Sequence, residues 1–416
     1  MSEQRRSVLK GIALLGTAVV LLVSPVAVAA TTSSDAPEGP GKAGKSASAT
    51  SSVPSPAEAA AARRATAARL AKAGITDVPV SFSVRNTNRS RTGCRTDGGR
   101  YRVRGHLTAP ASLLAGSGDG KKKAITLYQH GIAAGEWYWR LDVPGYHYAE
   151  ELAERGHASL TLDRLGYGAS DRPDGFGTCI GAEADIAHQV VRQLREGTYT
   201  VGGKPQEPFK AGRGAAKTGK SAAKRTRFDT VTLAGQSNGG QIVQIEAYSF
   251  GGIDGLMIMD WTDRGLTPEA NTRFFSALQS CMAGGSPSRK PSDPSGYVYY
   301  DLGPDQFRRG NFHDTERRVV DAATPHQNRH PCGDMTSQLD SVFTDLDHIR
   351  AIKVPVLMLY GDDDARVTGG AAHRRLFTGA DTDLIDIPGA GHYATMARSA
   401  PRTFDRIAAW LDARGL

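Results

Sequence analysis

Short apolar runs punctuate most of this 416-residue chain, and their spacing limits the folds open to it. The runs at 125–129, 158–162, 231–234, 256–259 and 354–360 are each too short for a helix and suit strands buried on both faces. Helix candidates lie between and after them, at 146–155, 183–196, 240–249, 371–376 and 401–413. Strands alternating with helices imply an α/β fold, with a mostly parallel central sheet covered by helices on both faces. Two further runs, 78–84 and 101–107, alternate like a hairpin of strands ahead of that sheet. In such sheets the catalytic groups collect beyond the carboxyl ends of the strands.

The ends and interruptions of the pattern divide the chain. Residues 1–29 place Arg5, Arg6 and Lys10 before an apolar run, then Pro25 and the small-residue ending Ala27-Val28-Ala29. That order is an export signal, and its paired arginines are similar to the twin-arginine type. The expectation is a secreted or extracytoplasmic protein with no stable membrane insertion once the signal is cleaved; the alternative is an uncleaved N-terminal anchor. Residues 30–76 are Ala, Ser, Pro, Gly and Lys with few large apolar side chains over most of their length, and read as a disordered linker with an alanine-rich, transiently helical second half. The core then spans 77–262 and 346–416, interrupted by a basic loop at 202–226 and by a long insertion at 263–345. The insertion is far longer than an ordinary connection and reads as a cap.

A net charge of +8 raises the question of a nucleic-acid partner. The charge is local. The stretch 1–29 carries +2 and the stretch 197–227 carries +7, which leaves the rest of the chain near neutral. Nucleic-acid binding is therefore excluded as a leading reading, and the basic tract is a solvated loop. The oligomeric state has no signature in the sequence. In an oxidising compartment the four cysteines, Cys94, Cys179, Cys281 and Cys332, allow three pairings. Their regional placement favours Cys94–Cys179 within the core and Cys281–Cys332 within the insertion.

The chemistry concentrates in one run. Thr230-Val231-Thr232-Leu233-Ala234 is an apolar strand, Gly235-Gln236-Ser237-Asn238-Gly239 is a G-x-S-x-G pentad, and a helix follows. A sharp strand-to-helix turn of this kind holds its central residue in strained torsions, and the glycines clear space around it. A serine nucleophile needs a base, and a histidine base needs a carboxylate to fix its tautomer. Downstream, the run 354–361 ends in Asp362-Asp363-Asp364, and 384–388 runs into Gly389-Ala390-Gly391-His392.

Together these features resemble the α/β-hydrolase superfamily, in its serine-nucleophile branch with an inserted cap. His130-Gly131 after a strand, Asp163-Arg164-Leu165-Gly166-Tyr167-Gly168-Ala169-Ser170, Gly361 to Asp364 and Gly389 to His392 are each similar to a motif of that family. The resemblance implies Ser237 as nucleophile, His392 as general base and then acid, and Asp364 as the orienting carboxylate, with Asp362 and Asp363 as rivals. It implies an oxyanion hole from the backbone N–H groups of Ile132 and Asn238. It also implies that no cofactor is required, that the side chain of His130 is structural, and that Asp163 and Arg164 are a turn-stabilising pair.

Serine in the elbow, where relatives that open epoxides or displace halide carry aspartate, points to acyl transfer. The expected activity is hydrolysis of a carboxylic ester or related acyl bond in a small-molecule substrate. Trp137, Tyr138 and Trp139 are candidates for lining its pocket. Two alternatives stay open. One is a peptidase or amidase on the same fold, for which Asp293, Asp301, Asp305 or Asp314 would face a substrate amino group; the other is a binding protein without turnover. Two G-x-x-x-x-G-K-S matches, at 39–46 and 214–221, sit in low-complexity sequence without the strand and helix a phosphate loop needs. His326 and His330 have a metal-like spacing but lie between Pro325 and Pro331, and read as surface loop histidines rather than ligands.

Overall fold

The computed structural model describes residues 56–115, 122–202, 225–286 and 293–416. The export segment, residues 30–55 of the linker, most of the basic loop and both G-x-x-x-x-G-K-S stretches lie outside the described residues.

Seven strands precede the insertion: β1 (Ile75–Arg85), β2 (Arg100–Pro110), β3 (Ala124–Gln129), β4 (Ser159–Asp163), β5 (Thr200–Val201), β6 (Thr230–Gln236) and β7 (Gly255–Met259). After it come β8 (Val356–Gly361) and β9 (Thr382–Ile387). They form one nine-stranded sheet in the order β9-β8-β7-β6-β3-β4-β2-β1-β5. From β9 to β4 all neighbours are parallel, while β2, β1 and β5 add antiparallel at one side. The strand order reverses between β3 and β6, so a crevice opens at their carboxyl ends.

Successive residues of a strand face opposite sides, and here each side meets its own helices. Leu127, Leu233, Leu256, Ile258 and Met358 join one apolar cluster with Val190 and Val191 of α3 (Ile180–Glu196) and Ile242 and Ile245 of α4 (Asn238–Ser249). Tyr128, Ala234, Met257, Met259 and Leu359 join the other, with Leu152 of α2 (Tyr148–Glu154) and Phe404, Ile407 and Leu411 of the C-terminal helix, Ala400–Arg414. β7 and β8 are buried at every position, so they are apolar along their length.

The segment between β7 and β8 carries α5 (Pro268–Met282), α6 (Pro304–Asn311), α7 (Arg317–Ala323) and α8 (Cys332–His348), with a two-stranded pairing of Tyr297–Val298 and His330–Pro331. Phe274, Val298, Phe307, Val319 and Met335 extend the second apolar cluster into this insert, so it shares a core with the sheet. Disulfides join Cys94 to Cys179 and Cys281 to Cys332, the latter tying α5 to α8.

Two local readings change. Within the stretch read as a linker, α1 (Pro56–Lys72) is a helix that runs almost into β1. Leu70 is buried against Ile75 and Ala153, and Arg69 pairs with Glu150 at 2.7 Å, so the alanine-rich end has an apolar and an ionic anchor. His330 is not a surface histidine. Its strand pairing carries the ring into the interior, where neither nitrogen has a hydrogen-bond partner and burial lowers its pKa to about 3.

Candidate active site

β6 delivers Ser237 into a turn that its flanking glycines, Gly235 and Gly239, make room for. Ser237 has φ 54° and ψ −129°, a positive-φ conformation rare outside glycine, and α4 starts at the next residue. A Cβ on Gly235 would lie 2.1 Å from the carbonyl oxygen of Gly239, and one on Gly239 would lie 2.3 Å from that of Gln129. Both glycines are therefore required by close backbone approach. The Ser237 N–H is held by the Met259 carbonyl at 2.8 Å.

β8 and β9 bring the other two groups to the same rim. His392 Nδ1 lies 2.8 Å from Asp364 Oδ2, and both side chains are buried. The second Asp364 oxygen accepts the N–H groups of Arg366 at 2.7 Å and Val367 at 3.1 Å. The rivals stand elsewhere: Asp362 accepts the Gly389 N–H, and Asp363 lies on the surface near His313. Ser237 and His392 line one narrow cavity enclosing ≈ 30 Å³. Ile132 and Asn238 line it too. The Asn238 N–H is in the first turn of α4, where backbone donors have no intrahelical partner.

The support beneath this rim is ionic and buried. His130 Nδ1 meets the Gly131 carbonyl at 2.8 Å, and its Nε2 accepts the Arg164 N–H at 3.1 Å. That pattern fixes the neutral ring with the proton on Nδ1. Burial, and then the nearby Arg164 charge, push its pKa well below the ordinary value.

Asp163 and Arg164 do not pair with one another. Asp163 accepts the N–H groups of Glu136 and Ala169, each at 2.8 Å. Arg164 points the other way, to Glu183 at 2.8 Å, to Asp334 of α8 at 3.2 Å, and to Asn238 Oδ1 at 2.8 Å. It thus links the turn at Ser237 to the insert.

Trp137, Tyr138 and Trp139 do not line the cavity at Ser237. Tyr138 and Trp139 are packed in the core, because the short helical turn Glu136–Trp139 aims them under the sheet. Trp137 borders a second cavity of ≈ 470 Å³ with Glu136, Asp163, His326 and Asn328. The wall over Ser237 comes instead from Tyr300, Asn311 and Gln338 of the insert, with Arg366 and Tyr393 of the core. Sequence reading missed these residues. Arg366 and Tyr393 had a signal, since they follow the acid and the histidine closely; the three insert residues had none.

Asp260 was missed as well. It immediately follows β7, with φ 51°, is fully buried, and accepts the Gly361 N–H at 3.2 Å. Burial and the neighbouring Asp364 raise its pKa well above the carboxylate range, so it is held protonated. An apolar strand ending in aspartate was the readable signal. Among the described residues, no three His, Cys, Asp or Glu side chains gather as a metal site.

Residues 130–406 match the sequence model of the alpha/beta hydrolase family. No curated protein matches the chain by sequence. Among solved structures, an esterase from Thermogutta terrifontis with malate bound is 18% identical over 80% of this chain and 99% of its own, with a TM-score of 0.52. A hydrolase from Pseudomonas aeruginosa is 16% identical over 79% and 98%, with a TM-score of 0.49. A monoacylglycerol lipase from Paleococcus ferrophilus is 17% identical over 70% and 94%, with a TM-score of 0.48. At these identities the likeness is one of fold.

Proposed function

The chain belongs to the alpha/beta hydrolase family, and we propose that it is an exported serine hydrolase that cleaves a carboxylic ester of a small molecule through an acyl-enzyme. One observation carries the reading: Asp364 holds His392 Nδ1 at 2.8 Å while His392 and the strained Ser237 line the same cavity. Asp364 and its two N–H donors orient the imidazole so that Nε2 is the basic nitrogen. Ser237 Oγ attacks the carbonyl carbon and its proton passes to His392 Nε2. The oxyanion is met by the N–H groups of Ile132 and Asn238. The bond to the leaving alkoxide breaks as His392 returns the proton to it. Water then repeats the sequence on the acyl-enzyme, releasing the acid and restoring Ser237.

The ester reading is favoured over the peptidase reading by the insert carboxylates. Asp301 is neutralised by Arg366, Asp305 is paired with Arg308 and Asp314 with Arg398, and none of these, nor Asp293, lines the cavity. Export is supported by the residue order of 1–29 and by the two disulfides. A fluorophosphonate probe tests the mechanism. Labelling of the wild type that disappears in Ser237→Ala, together with loss of short-ester hydrolysis, is expected; a folded wild type that neither labels nor turns over an ester or amide refutes it.

A further inference from the structure

The cavity at Ser237 is walled by polar groups that have no partner. Gln236 donates its Nε2 to the His392 carbonyl at 2.9 Å, which leaves its Oε1 free against Gly131. Asn238 spends its Oδ1 on Arg164, which leaves its Nδ2 free. Gln338 Oε1 and Tyr393 Oη are likewise buried without a hydrogen bond. All four residues line the one cavity, and each is more than nine-tenths buried. Four such atoms on residues around Ser237 give the cavity hydrogen-bonding capacity beside its apolar lining of Ile132, Trp261, Leu266 and Val367.

Charge and size narrow the occupant. Arg366 is the nearest cation, but Asp301 already meets it at 2.6 Å and Glu269 at 3.6 Å, so the wall offers no net positive charge to an anion. The unpartnered set holds donors (Asn238, Tyr393) and acceptors (Gln236, Gln338) together. Hydroxyl and carboxamide groups both donate and accept, and so match it. The enclosed ≈ 30 Å³ leaves room for only a few substituent atoms.

Resting on the hydrolase reading above, we infer that the substrate is a short, uncharged ester whose acyl part carries a hydroxyl or carboxamide, held by Gln338 of the insert and Asn238 beside the nucleophile. A site of this kind rejects the analogue lacking the polar group, because its own buried groups then stay unpaired.

The test compares p-nitrophenyl esters of butyrate, both enantiomers of 3-hydroxybutyrate, hemisuccinate and octanoate on the full chain. One hydroxybutyrate enantiomer should exceed butyrate in kcat/KM by at least about tenfold, with hemisuccinate and octanoate below butyrate. Gln338→Met should cut the hydroxybutyrate-to-butyrate ratio to under about threefold, whereas a merely structural role would lower both rates in proportion. Equal rates for the two butyrates, or preference for octanoate, overturn the inference, and preference for hemisuccinate replaces it with an anion at Arg366. Thermal unfolding of Ser237→Ala with each uncleaved ester separates the two readings. Stabilisation by a hydroxybutyrate ester alone, with no turnover by the wild type, upholds the polar pocket and sinks the hydrolase reading; no selective stabilisation sinks the pocket.

Discussion

Replacing Asp364 with asparagine probes the site at its most constrained atom. In the wild type one carboxylate oxygen accepts two backbone N–H groups, those of Arg366 and Val367, and the other faces His392 Nδ1 at 2.8 Å. An asparagine must keep its carbonyl oxygen against those two donors, because its amide nitrogen cannot accept them. The NH₂ then faces His392, which can meet it only with an unprotonated Nδ1. The ring proton moves to Nε2, the nitrogen that takes the Ser237 proton in the proposed mechanism, and the base is lost although every heavy atom stays in place.

A wrong tautomer in a Ser-His-Asp triad lowers kcat about 10⁴-fold, equivalent to roughly 5.5 kcal/mol of barrier. Since two of the three contacts of the side chain persist, unfolding temperature should change little. The assay is short-ester hydrolysis between pH 6 and 9 with a parallel melting curve. The residual rate should climb steadily with pH, as hydroxide takes over from the imidazole. A variant within tenfold of the wild type, with the same pH profile, would refute the reasoning and point to Asp260 as the carboxyl to examine next.

Two further outcomes are expected. His330 is held neutral in the interior with a pKa of about 3, below the 6.5 of a free histidine. Its stabilising effect is thus complete above pH 6.5 and is lost as pH falls toward 3, amounting to about 2 kcal/mol between pH 6.5 and 5. His330→Phe, which breaks no hydrogen bond, should flatten the fall of unfolding free energy in urea over that range; an unchanged slope would contradict it. Removing the Cys281–Cys332 bridge by a double change to alanine opens a loop of 51 residues. Loop entropy puts the loss near 4 kcal/mol, readable by calorimetry under non-reducing conditions, and a loss under about 1 kcal/mol would mean that packing alone holds the insert.

The sequence by itself determined the sheet and the elbow, because both follow from local patterns. Runs apolar at every position, such as 256–259, can only be strands sealed on both sides, and a pentad with glycine on each flank of Ser237 has one economical backbone path. Ends of the parallel strands shifted by only one or two residues and those of the leading hairpin by up to three, and the order Ser, Asp, His along the chain already matched the family. What tertiary structure alone decided is who stands around the serine. The resemblance already pointed to Asp364, and the parallel pairing of β8 and β9 is what brings it, and not Asp362 or Asp363, to His392. Arg164 serves Asn238 and α8 instead of its neighbour Asp163, and Tyr300, Asn311 and Gln338 reach the cavity from an insert whose helices carry no periodic mark of that role. Local chemistry fixes how a chain turns, while the meeting of side chains dozens of residues apart depends on packing that no short stretch encodes.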